Sequence, residues 1–183
     1  MRIVVGMTGA SGAMFGVDFL RRCQADKYLI LTKWGRYVLK EETGLTEHHL
    51  AEHVKKTLSD EDLSAPFSSG SNPFDALVIL PCSASTMAKI ACGIADTLLT
   101  RTAMVALKER RTLIICLRET PLSPIMLQQA HTLSLAGAIV MPISPPFYHK
   151  PQTLDQLVEH FNSKVLSLLG VDTALAWKPE ALE

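Results

Sequence analysis

Four places along this chain gather residues able to hold an anion or move a proton. The first is Thr8-Gly9-Ala10-Ser11-Gly12-Ala13, with Gly16 about one turn further on. Glycines let backbone approach an anion closely, amides at a helix start point toward it, and a serine hydroxyl donates or accepts. A phosphate or flavin site fits, and so does a tight turn that only packs helix on strand. The spacing is not GxGxxG, and no acidic residue ends the second apolar run to hold a ribose diol. Thr32-Lys33 stands there instead. A hydroxyl and a cation suit phosphate or ribityl, which favours a mononucleotide such as FMN over NAD.

The second place is Pro81-Cys82-Ser83-Ala84-Ser85-Thr86, small hydroxyl residues at another helix start, with Ser68-Ser69-Gly70-Ser71 upstream to fold over it. Cys82 closes an apolar run and reads as packing rather than as a nucleophile. The third holds Arg101, Lys108-Glu109-Arg110-Arg111 and Arg118-Glu119. The helix dipole accounts for Arg110 and Arg111 but not for Arg118 and Glu119, whose opposite charges suit a phosphate clamp beside a carboxyl acid or base. The fourth is Pro145-Pro146-Phe147-Tyr148-His149-Lys150-Pro151, a stiff turn in which Tyr148 and a cation can meet another phosphate. His48, His49 and His53 lack a further ligand and read as a solvated helix face, so no metal is expected.

These residues need a scaffold that brings loop ends together. Short apolar runs at 3–7, 28–32, 76–81, 113–117 and 138–141 read as buried strands. Segments 13–23, 34–42, 85–91, 97–110, 123–135 and 154–169 carry helix-period apolar residues. The expected fold is α/β: a single Rossmann-like domain, an open parallel sheet with helices on both faces, and ligands bound beyond the carboxyl ends of the strands. A flavin-binding domain over 1–170 is expected, with 171–183 as a tail that can pack on a neighbouring subunit. The stretch 59–73 is the longest expected to be irregular.

Composition narrows the function classes. Eighteen Lys and Arg balance eighteen Asp and Glu, so no overall field favours nucleic acid or an acidic membrane. The longest apolar runs fall far short of the roughly 20 residues that cross a bilayer. The first residues show no signal-peptide core, and four cysteines without a CxxC pair suit a reducing cytoplasm.

Taken together, TGASGAMFG, KEETGL, SSGS, ILPCSASTMAKIACGIADTLLTR, LKERR, CLRETPL and PPFYHKPQ resemble the UbiX/Pad1 family of flavin prenyltransferases. The resemblance runs over nearly the whole chain in order; CLRETPL with PPFYHKP is its specific part. It implies a metal-independent homododecamer that binds reduced FMN between subunits. The dimethylallyl group of dimethylallyl monophosphate is transferred to flavin N5 and C6, and UbiD-type decarboxylases use the prenylated FMN.

By the same resemblance, Gly9, Ala10 and Ser11 match the flavin-contacting turn, Thr32 a hydroxyl on the FMN tail, and Ser83 and Thr86 the second flavin loop. Arg118 matches both flavin and phosphate positions, while Arg101, Lys108 and Tyr148 match the donor-phosphate site. Ser11, Glu42 and Glu119 match the proton-handling positions. Lys164 stands where relatives generally have arginine, which keeps the charge and loses the bidentate fork; Lys150 is a similar replacement. Two other readings are a flavin-carrying, non-catalytic small subunit of an aromatic acid decarboxylase and a flavin-dependent cysteine decarboxylase. The latter usually has Asn where Ser85 stands, and a catalytic histidine with no match here.

Overall fold

The computed structural model describes residues 1–171; the segment 172–183, most of the expected tail, lies outside the described residues. Among those described, six strands make one sheet: β1 (Arg2–Met7), β2 (Asp26–Leu31), β3 (Lys56–Ser59), β4 (Ala76–Cys82), β5 (Thr112–Leu117) and β6 (Ile139–Val140). Every pairing is parallel, in the order β3-β2-β1-β4-β5-β6. β4 is buried at all 7 positions, which is why its sequence is a continuous apolar run without alternation.

The helices are α1 (Ala13–Arg22), α2 (Lys33–Thr43), α3 (Glu47–Leu50), α4 (Ala84–Ala91), α5 (Leu98–Lys108), α6 (Pro124–Leu135) and α7 (Leu154–Leu168). Successive strand side chains point to opposite faces, so the sheet carries two cores. Val5, Leu29 and Val78 pack with Phe19, Leu39 and Phe161 of α1, α2 and α7. Val4, Leu77 and Ile79 pack with Met87, Leu99 and Val105 of α4 and α5 on the other face. Val171, the last described residue, packs against the first core.

The chain steps outward from β1 to β3, then returns to lay β4 against the free side of β1. Crossovers leave in opposite directions from there, opening a crevice at the carboxyl ends of β1 and β4.

Two elements differ from the sequence expectation. β3 is an edge strand of 4 residues with only Leu58 buried, too short to show a period. α3 is a single turn in which His49 caps the helix start, its Nδ1 lying 3.1 Å from the Thr46 amide that donates to it. The stretch 59–73 also contains a 3-10 turn, Pro66–Ser68, whose Phe67 meets Tyr28 and Phe74 edge-on at 5.1 and 5.6 Å.

Candidate active site

Thr8 follows β1 and is 2% exposed. Its hydroxyl donates to the Pro81 carbonyl at 2.9 Å and accepts from the Ser83 amide at 2.7 Å. The turn after β1 is thereby tied to the turn after β4, across the crevice. The sequence places Thr8 in the same motif as Gly9 and Ser11, but its spacing gave Thr8 no role of its own. The available signal was a hydroxyl directly after a buried strand, where burial demands a polar partner.

The turn is pressed from above by α2. A Cβ on Gly9 would run into the Trp34 side chain, and one on Gly35 into the Met7 carbonyl. Thr32 caps α2, accepting from the Gly35 amide at 3.0 Å. Ser83 caps α4 through the Thr86 amide at 3.3 Å and lies 3.0 Å from the Thr86 hydroxyl.

These residues enclose a cavity of about 320 Å³ whose walls include Thr8, Gly9, Thr32, Ser83, Thr86 and Thr100, with Lys33, Arg36 and Lys89 as cations. Arg36 is paired with Glu47 at 2.6 Å and Lys89 with Asp96 at 2.7 Å. Lys33 Nζ stands 5.7 Å from the Trp34 ring centroid. Asp60 and Glu61 line the same cavity, Asp60 accepting from the Leu99 amide at 2.9 Å; hydroxyls from three helix starts beside Lys33 are a donor set that a polyol carrying a phosphate requires, so the residues fit FMN.

A second, more open cavity of about 560 Å³ adjoins the first and shares Ser83 and Ser85 with it. Its walls are largely apolar, with Ala84, Ala88, Ile125 and Met126, and Glu119 stands on it. Glu119 accepts from the Thr120 amide at 3.1 Å. The Arg118 amide donates to the Cys82 carbonyl at 2.9 Å, which holds Arg118-Glu119 beside the Ser83 loop. Residues 68–71 line neither cavity.

Glu42 lies at the start of α1 rather than over open space. The Gly12 and Ala13 amides donate to its carboxylate at 2.9 and 2.8 Å. The expectation of amides open to an anion at this helix start is corrected accordingly: α1 has no side-chain cap and no acid in its first turn, so its unpaired N–H groups recruit a carboxylate from the end of α2. Ala10 is buried on this turn and Ser11 exposed.

The cations of α5 face elsewhere. Arg101 donates to the Ser68 carbonyl at 2.8 Å. Lys108 pairs with Glu109, and its hydrogen bond holds the Glu109 carboxyl below the usual range. Arg111 is more than a dipole partner: it donates to the carbonyls of Gly70 and Asn72 at 2.7 and 3.1 Å and covers the Phe74 ring at 4.5 Å. Within one chain, therefore, Arg101 and Lys108 are turned to the 68–72 loop, while Arg118 and Glu119 follow β5. Tyr148 is 71% exposed on its turn, and Lys164 is exposed on α7.

Cys82 is fully buried, and burial pushes its thiol up to about 12. Cys116 is shifted upward for the same reason. Neither supplies a thiolate at neutral pH.

A switch-point crevice with hydroxyls and cations on one wall places this protein among the mononucleotide-binding α/β proteins, and the model of the Flavoprotein family matches residues 1–165. The flavin prenyltransferase UbiX of Thermoplasma acidophilum is 46% identical over 96% of this chain and 98% of its own. The structure of AnUbiX (PadA1) in complex with FMN and dimethylallyl pyrophosphate superposes with a TM-score of 0.91, at 37% identity, over 97% of this chain and 98% of that one. A dodecameric FMN-dependent UbiX-like decarboxylase from Escherichia coli O157:H7 gives a TM-score of 0.92 at 36% identity, over 97% and 99%. The chain belongs to the UbiX/Pad1 flavin prenyltransferase family.

Proposed function

We propose that the protein transfers the dimethylallyl group of dimethylallyl monophosphate to N5 and C6 of reduced FMN, making the prenylated FMN that UbiD-type decarboxylases use. The observation that carries this reading is the wall shared by the two cavities. Hydroxyls and cations on one side of Ser83 and Ser85 suit a phosphate-bearing tail, while apolar side chains and Glu119 on the other suit an isoprenoid and a proton transfer.

In this reading Gly9, Ala10, Ser11, Thr32, Ser83, Thr86 and Arg118 hold the flavin. Reduced FMN supplies the nucleophilic ring atoms when bound. Arg101, Lys108, Arg118, Tyr148 and Lys164 bind the donor phosphate more tightly as its allylic C–O bond breaks and charge builds on the leaving oxygen. Ala88, Ile125 and Met126 keep water from the electron-poor carbon. Glu119, Ser11 and Glu42 then accept and relay the protons released as the two new bonds form.

Arg101 and Lys108 face the 68–72 loop of their own chain, so the phosphate site is completed by neighbouring copies. α6 exposes Ile125, Leu127 and Leu135 at 68%, 53% and 77%, and Phe147 is 71% exposed nearby in sequence. Such apolar surface suits burial between subunits, and a dodecamer is the expected assembly. No helix among the described residues is long and apolar enough to cross a membrane; a cytoplasmic site of action is the reading that goes with this chemistry. The flavin domain spans 1–170.

The deciding experiment incubates purified protein with reduced FMN and dimethylallyl monophosphate and weighs the extracted flavin. A gain of one prenyl unit is expected. Tight FMN binding without a mass gain favours a flavin carrier instead, and decarboxylation of a peptidyl or pantothenoyl cysteine favours the cysteine decarboxylase reading.

A further inference from the structure

The backbone of the 68–72 loop is pinned by cations from α5 and the turn after it. Arg101 donates to the Ser68 carbonyl at 2.8 Å. Arg111 donates to the carbonyls of Gly70 and Asn72 at 2.7 and 3.1 Å, with its guanidinium carbon 4.5 Å from the Phe74 ring centroid. The loop also closes on itself, the Asn72 amide donating to the Ser69 carbonyl at 3.3 Å and Asn72 Nδ2 to the Pro66 carbonyl at 2.8 Å. Backbone anchored at this many points is a fixed floor for whatever lies on it.

What lies on it is an ion pair. The Lys108 ammonium donates to Glu109 Oε1, and both side chains rest against Gly70. A Cβ on Gly70 would stand 2.8 Å from Lys108 Nζ and nearer still to Glu109 Oε1. Gly70 has no positive φ that would call for glycine, so what its bare Cα supplies is room for this pair. The hydrogen bond from Lys108, the Lys108 charge and the charge of Arg111 together keep the Glu109 carboxyl ionised, below its usual range. Arg111 is itself fastened to the loop, whereas Lys108 carries its charge on a flexible four-carbon stem. Glu109 therefore ties a flexible cation to a fixed floor.

We propose that Glu109 is a positioning residue for the prenyl donor: seated over Gly70, its carboxylate holds the Lys108 ammonium in place for the donor phosphate. The inference rests on the reading above that Lys108 meets that phosphate. It adds two residues, Glu109 and Gly70, that act through Lys108 and touch neither donor nor flavin. A long cation already held in place loses less freedom when the phosphate arrives, so the effect falls on donor binding.

The test compares steady-state kinetics of the full-length protein with those of Glu109→Gln, Gly70→Ala, Lys108→Ala and the double variant Lys108→Ala/Glu109→Gln, varying dimethylallyl monophosphate at saturating reduced FMN. Releasing one placed side chain should raise the donor KM about two- to tenfold in Glu109→Gln, with FMN affinity close to the parent value. Gly70→Ala should raise it as well at a near-parental melting temperature, because the atoms its methyl displaces are the ends of two flexible side chains. The double variant should match Lys108→Ala, since a residue that acts only through Lys108 has nothing left to place. A donor KM raised by Lys108→Ala but unchanged or lowered by Glu109→Gln overturns the inference and leaves the donor site standing; a lowered one marks Glu109 as a competitor for the ammonium. A double variant worse than Lys108→Ala by the full Glu109→Gln effect also overturns it, because Glu109 then acts independently of Lys108. A parental KM in Gly70→Ala overturns the part given to Gly70. A donor KM unchanged by Lys108→Ala overturns the placement of Lys108 at the phosphate, and the inference with it.

Discussion

The hydroxyl of Thr8 accepts a hydrogen bond from the Ser83 amide at 2.7 Å and donates one to Pro81 at 2.9 Å, joining the two loops that flank the crevice. Only a side chain with both a donor and an acceptor does this, which excludes valine although its shape is similar. Thr8→Val leaves the Ser83 amide short of its acceptor, while the Pro81 carbonyl keeps the Thr8 backbone amide at 3.1 Å, a loss of about 1–3 kcal/mol in stability. FMN affinity is expected to fall with it, by about tenfold if 1.4 kcal/mol of the loss is felt in binding. Thr8→Ser should recover most of both. Thermal melting and flavin fluorescence titration measure the two effects; parental affinity in Thr8→Val would show that the loops hold their spacing without this bridge.

Glu42 supports a helix start and stands in the proposed proton path, and the two roles separate by substitution. Glu42→Gln keeps an acceptor for the Ala13 amide but removes the charge that favours the positive end of α1, so stability should drop by only about 0.3–1 kcal/mol. A much larger fall in prenyl transfer than in stability places the carboxylate in the chemistry. Equal, small losses in both confine it to capping.

Glu119 sits on the apolar cavity wall with one oxygen held by the Thr120 amide. Glu119→Gln is expected to slow transfer by about 10²–10⁴, the usual worth of a positioned acid or base, while FMN stays bound. Single-turnover flavin absorbance changes read the rate. Unchanged turnover removes Glu119 from the mechanism.

Four cysteines are present, of which Cys23, Cys82 and Cys116 are buried and Cys92 is exposed. A thiol reagent should therefore modify one cysteine in the native protein and all four after denaturation. Cys82 and Cys116 also set an alkaline limit. Cys82 titrates near 12 when folded against an ordinary 9.0, so the folded state holds its proton where the unfolded chain has lost it. Its contribution is complete below pH 9 and is lost as pH rises toward 12, at about 1.4 kcal/mol per unit for each such thiol. Melting temperatures measured from pH 8 to 11 should fall, and less steeply in Cys82→Ala; parallel slopes would discount the thiol.

Much of the fold was legible because parallel strands covered on both faces must be apolar throughout. β1, β2, β4 and β5 show this as unbroken runs, and the hydroxyl residues before α2 and α4 announce helix starts. β3 was not legible, since an edge strand of 4 residues carries no period. Around α3 the histidines read as a solvated helix face, and His48 and His49 are exposed on that turn; what no spacing showed is that His49 also caps the helix start.

From its residue types and their order alone, the chain determines that it folds as an α/β sheet with hydroxyls and glycines at the strand ends, because apolar runs and helix starts are written locally. Which of those ends face one another is a matter of strand order. Thr8 meets Ser83 across 75 positions and Glu42 meets Ala13 across 29, contacts that exist only because β4 returns to the side of β1 and α2 folds back over the first turn. The same tertiary arrangement turned Arg101 and Lys108 toward the 68–72 loop. Hydrogen-bond demand at buried loops and helix ends is met by whichever group the topology brings within reach, and no local spacing encodes that.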